Sequence, residues 1–215
     1  MNNLTSLVHS ILKRLELLEK ENYELKNKVK ELTEKLNDKD YSKDFFKDSL
    51  ILTSNKDREN MLSLINKKIK NVELLYRGTR DGDLAKNFHE KCDNKGPTLT
   101  LCKEKSENII FGGYTEAEWD SQERHPKYDE NAFIFSLTYN KKFVSKNYQN
   151  SIGCNKDTGP VFGFGGDLTI WSKFLSSDAN NMWREQKTYL DKNYETTGGK
   201  KNFKLKELEV YLINF

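Results

Sequence analysis

The stretch Phe203-Lys204-Leu205-Lys206-Glu207-Leu208-Glu209-Val210-Tyr211-Leu212-Ile213 decides the fold class. Its apolar and polar residues alternate with the period of two that places successive side chains on opposite faces of a strand. The alternation changes phase part-way: Phe203 and Leu205 define one set, Leu208, Val210 and Leu212 the other. A strand cannot change phase without an extra residue, so the pattern predicts a β-bulge near Glu207. The alternative is that Glu207 or Glu209 points into the core, where a carboxylate without partners is costly. These two residues therefore form a candidate acidic site.

Working back from this strand, short apolar runs recur at 74–76, 98–101, 109–111, 132–137, 161–162 and 168–171, with Gly, Asn and Asp between them. Many short strands separated by turn residues predict an antiparallel two-sheet β-sandwich, mainly β with flanking helices. The helices are expected at 55–69, behind an N-capping Ser54, and at 83–92. Ser49-Leu50-Ile51-Leu52 reads as a further short strand.

The first forty residues have a different texture. Val8, Leu15, Asn22, Val29 and Leu36 fall at position a of a heptad, and Leu4, Ile11, Leu18, Leu25 and Leu32 at position d. No Pro or Gly interrupts the repeat. Asn at an a position pairs with its own copy, which fixes register and favours two parallel strands. In such a dimer Arg14 meets Glu19 and Glu21 meets Lys26, both attractive pairs. Leu12 at an e position widens the apolar stripe, and a single amphipathic helix lying on the globular body is the competing reading. The expected organisation is a parallel coiled coil at 1–38, a linker at 39–48 whose aromatics dock on the body, and a domain at 49–215.

Charge excludes one large class of partner. The net charge is +3, and residues 1–40 hold eight of the 36 basic and eight of the 33 acidic side chains. The small excess is thus spread over the rest of the chain, which gives no concentrated basic face for nucleic acid. The three cysteines, Cys92, Cys102 and Cys154, are odd in number and widely spaced, as reduced thiols are. No apolar run reaches the roughly 18–20 residues of a membrane span, and the start has no signal-peptide pattern. The expected location is cytoplasmic or peripheral to an endomembrane.

Chemistry-bearing motifs are sparse. Arg77-Gly78-Thr79-Arg80-Asp81-Gly82 reads either as an anion cradle or as a tight turn whose arginines pair with nearby acids. Gly163-Phe164-Gly165-Gly166-Asp167 lacks the spacing of a dinucleotide loop and precedes a strand. His89 and Cys92 lie three apart on the expected helix, next to Asp93, which leaves a thiol-based redox enzyme or scavenger using Cys92 as the alternative function. No metal-ligand spacing, cofactor motif or catalytic signature is present. A carbohydrate-binding or adhesin-type sandwich is a third reading, and the odd cysteine count opposes it.

The blocks Leu74-Leu75-Tyr76-Arg77-Gly78-Thr79-Arg80-Asp81-Gly82, Phe88-His89 and Cys92-Asp93-Asn94-Lys95-Gly96-Pro97-Thr98 resemble the opening of the TLDc domain of oxidation-resistance proteins. The likeness continues through Phe111-Gly112-Gly113-Tyr114-Thr115 with Trp119, residues 131–137, Gly159-Pro160-Val161-Phe162-Gly163 with Asp167-Leu168, and the final strand. It covers roughly residues 41–215, and a coiled coil ahead of such a domain is similar to an arrangement in protist proteins. The resemblance implies two packed antiparallel sheets, a role in oxidative-stress resistance, binding to the vacuolar proton pump, and no catalytic set. Arg77, Arg80, Asp93 and Trp119 are the candidate partner surface. The expected function is a non-catalytic protein-binding module dimerised by its coiled coil.

Overall fold

The computed structural model describes residues 2–42, 44–182, 188–191 and 193–215, with side chains of the first segment described at 6–33. The chain divides into two compact units, Met1–Asp44 and Phe45–Phe215.

The first unit is one helix, α1 (Asn2–Ser42), which continues into the stretch expected to be linker. Val8, Ile11, Leu15, Leu18, Leu25, Val29 and Leu32 are each 45–62% exposed, and Asn22 is exposed among them. The side chains of Leu4 and Leu36 lie outside the described residues.

The second unit opens on Phe45 and Phe46, which are buried, and α2 (Asn55–Leu64) follows. Ser54 caps that helix by accepting the Asp57 backbone N–H at 3.1 Å, as the sequence predicts, although the helix ends earlier than residue 69. Residues 49–52 are not a strand. Ser49 Oγ accepts the N–H groups of Ile51 and Leu52 at 3.1 and 2.8 Å, which curls the backbone and turns both side chains into the core.

Two six-stranded sheets follow, antiparallel at every pairing. The strands in chain order are β1 (Asn71–Arg77), β2 (Thr98–Glu104), β3 (Ile110–Thr115), β4 (His125–Lys127), β5 (Phe133–Ser136), β6 (Lys141–Val144), β7 (Ile152–Cys154), β8 (Thr158–Phe162), β9 (Leu168–Trp171), β10 (Asn180–Asn181), β11 (Asn202–Phe203) and β12 (Leu205–Asn214). The first sheet runs β1-β12-β2-β3-β5-β6 and the second β11-β10-β9-β8-β7-β4. Between β1 and β2 lie a four-residue helix, α3 (Gly78–Asp81), and α4 (Ala85–Cys92).

The phase change in the last segment has two structural sources. Phe203 belongs to the second sheet, paired with Asn180, whereas Leu205 begins β12 of the first, so the chain changes sheets at Lys204. Then Leu205 faces Glu104 and Glu207 faces Lys103, which leaves Lys206 as the extra residue of a bulge. Leu205, Leu208 and Val210 consequently share the core between the sheets. Tyr211 and Ile213 face a second core with Phe45, Phe46, Ile51, Leu52 and Met61. β12 is thus buried on both faces; the Glu209 carboxylate sits beside Tyr211 of the second core, and the Glu207 carboxylate turns to α3. Bulge and buried carboxylates, posed as alternatives by the sequence, occur together.

Candidate functional site

The family-like blocks converge where β1, α3 and β12 meet. Arg77 lies directly opposite Glu209 in the β1–β12 ladder, and its Nε donates to Glu209 Oε1 at 2.8 Å. The Glu209 side chain is fully buried and that of Arg77 is 14% exposed. The same carboxylate accepts from Ser49 Oγ, the Leu50 backbone N–H and Tyr211 Oη. Arg77 also donates to the Asp48 carbonyl. One ion pair therefore ties residues 48–50 to the edge strand β1 and its neighbour β12.

Glu207 is held in parallel fashion. It accepts the Thr79 backbone N–H at 3.1 Å, the Thr79 hydroxyl, and the Leu208 N–H at 3.0 Å. Both readings of Arg77–Gly82 are therefore partly right. The segment cradles anions through a backbone N–H, a hydroxyl and a guanidinium, but the anions are the protein's own Glu207 and Glu209. The short helix closes on itself, because Asp81 accepts the Arg77 N–H at 2.9 Å and both Arg80 nitrogens. The hydrogen bond from Arg80 holds the Asp81 carboxyl below its ordinary range.

The candidate partner surface needs correction at two positions. Trp119 is only 1% exposed; its indole N–H donates to Thr98 at 2.9 Å, and its ring packs edge-on against Phe88 and Phe162. It is a core residue and offers a partner nothing. Arg77 is spent on Glu209. Arg80, 47% exposed, is the open member of the set, and Asp93, 15% exposed and paired with His89, is about as enclosed as Arg77.

The thiol reading also needs correction. Cys92 is completely buried, and burial pushes its thiol well above the usual range, away from thiolate. His89 is engaged elsewhere. Its Nδ1 meets Asp93 at 2.7 Å, and its Nε2 meets the carbonyls of Asn155 and Thr158 at 3.0 and 2.9 Å. These bonds fasten α4 to the turn between β7 and β8. Cys102 is equally buried and its thiol is likewise raised by burial. Among the described residues, one group gathers three types of metal ligand: Asp120, His125 and Cys154. Sequence spacing gave no sign of it, because a loop and two strands far apart in the chain supply its members.

Two six-stranded antiparallel sheets with α4 against β1 and β8 are the frame of these blocks. The profile of the TLDc domain matches residues 46–214. The chain belongs to the TLDc family. The match spans nearly the whole second unit, and α1 lies outside it. A comparison with curated proteins finds no match. Among the described residues of this TLDc chain, no helix is long and apolar enough to cross a membrane.

Proposed function

We propose that this chain is a protein-binding TLDc module, not a catalyst, presented as a parallel dimer by a coiled coil at 1–38. The observation that carries the reading is the heptad seam of α1. Seven aliphatic side chains at a and d positions are about half exposed, and a second copy of the helix is the surface that matches them. Asn22 fits this occupant, because an Asn at position a finds its hydrogen-bond partner in the same residue of an aligned twin. The Arg14–Glu19 and Glu21–Lys26 pairings between copies add a small electrostatic preference for that alignment.

For the body, the TLDc membership supports a role in the oxidative-stress response or in binding the vacuolar proton pump, in the cytoplasm or against an endomembrane. Of the candidate surface, Arg80 is the exposed member and Asp93 a partly exposed one, and these two are taken as the partner contacts. Two tethered bodies raise avidity where both can engage at once.

Sedimentation equilibrium of the full chain at micromolar concentration tests the dimer. A mass of twice the chain supports it, and a monomer at that concentration overturns it. Co-sedimentation with purified vacuolar proton pump tests the partner: binding weakened by Arg80→Ala together with Asp93→Ala supports the assignment, and absence of binding removes it.

A further inference from the structure

We propose that Asp120, His125 and Cys154 form a zinc-binding site at the edge of the second sheet. His125 opens β4 and Cys154 closes β7, and the two are direct cross-strand partners. Asp120 reaches them from the segment after Trp119. A carboxylate oxygen, an imidazole nitrogen and the sulfur all lie within 4.8 Å of one another. Donors around a tetrahedral zinc ion stand about 3.4–3.7 Å apart, as follows from bond lengths of about 2.0–2.3 Å. The three donors would therefore have to draw together around the ion.

The surroundings are arranged as a metal's outer shell. His125 Nδ1 lies 2.8 Å from the Glu123 carbonyl oxygen. That oxygen can only accept, so Nδ1 carries the hydrogen, and Nε2 is the nitrogen turned to Asp120 at 3.2 Å. An imidazole oriented by a carbonyl through its other nitrogen is the usual state of a zinc-ligating histidine. Burial pushes the Cys154 thiol up to about 11, with the Asp120 backbone N–H bond to the sulfur opposing that rise, and the Gln122 N–H orients the Asp120 carboxylate at 3.1 Å.

One thiolate, one imidazole and one carboxylate make a borderline-soft set that suits zinc better than calcium or magnesium. Three protein ligands leave the fourth position to water or to a ligand. The His125 side chain, 32% exposed, gives an entry from solvent. The competing cation is Lys127, whose ammonium lies 2.7 Å from the same Asp120 oxygen. A dication displaces it, and the lysine has the Glu118 carbonyl as a second acceptor.

The test is a cobalt(II) titration of the reduced, chelator-treated full chain, followed by zinc displacement. One cobalt per chain with a thiolate-to-metal charge-transfer band, bleached by zinc, is expected. Cys154→Ser should remove the band, and Cys92→Ser and Cys102→Ser should keep it. His125→Gln, a partly exposed ring whose replacement leaves the core intact, should weaken binding about tenfold or more. Lys127→Met should tighten it. No band in the parent chain, a band that survives Cys154→Ser, or unchanged affinity in folded His125→Gln would each leave Asp120 as nothing more than a lysine's counter-ion.

Discussion

Glu209 shows how a single buried charge is made tolerable. It receives a guanidinium, a hydroxyl, a phenol and a backbone N–H, so its oxygens are filled as burial demands. Removing one partner of such a pair strands the other. Arg77→Ala should therefore cost about 3–5 kcal/mol in urea unfolding, a loss that an exposed change such as Lys206→Ala should not approach. Asp81 supports a pH prediction of defined sign. Its folded-state value is depressed, first by the Arg80 hydrogen bond and further by the Arg77 N–H. Its contribution is therefore complete above the unfolded carboxylate value of about 4 and disappears as pH falls through the lower folded value. The stability gap between the parent chain and Asp81→Asn should be constant near neutral pH and should close in acid. The sequence pointed to Arg77, Glu207 and Glu209 but could not pair them, because their partners Ser49 and Thr79 lie over a hundred residues away from β12. Trp119 was misread for a related reason: a tryptophan among turn residues looks exposed until the α4 and β8 aromatics that enclose it are in place.

At the scale of elements, period-two alternation was legible wherever a strand has one polar face, and least legible where it is short or lies at an edge. β4, β6, β7 and β10 went unread, since two to four residues, some charged, carry no period. Ser49–Leu52 was overread, because a local serine turn buries apolar residues as well as a strand does. β3 illustrates what the glycine-rich text encodes. A Cβ on Gly113 would stand 2.5 Å from the Phe162 ring, which projects from the opposite sheet, and one on Gly112 would stand 1.9 Å from the Thr100 carbonyl oxygen. These two glycines let the sheets and neighbouring strands approach closely. Gly113→Ala should cost about 1–3 kcal/mol by overpacking, and Gly112→Ala more, since a backbone oxygen cannot rotate aside. Gly165→Ala meets nothing within 4 Å and should change the thermal midpoint by no more than a degree or two, equivalent to about 0.5 kcal/mol or less. Differential scanning calorimetry of the three variants separates close approach from mere flexibility.

At the scale of the molecule, the two units obey different rules of stability. The TLDc body buries its own cores on both faces of β12, and its unfolding should not depend on concentration. An isolated helix in water is marginal without a partner for its apolar stripe, so the melting of α1 should depend on concentration by mass action. Far-ultraviolet circular dichroism of the full chain should therefore show two transitions, of which only the helical one rises with protein concentration. Asn22 gives this a sharper form. Replacing it by Leu exchanges a specifying but weak a-position pair for a strongly apolar one. Asn22→Leu should raise the helical transition, leave the body's transition where it was, and relax the preference for two strands, so that species above the dimer appear in sedimentation. A helix that dimerises through another face would show no such coupling, because the residue at position 22 would then sit in water in both states.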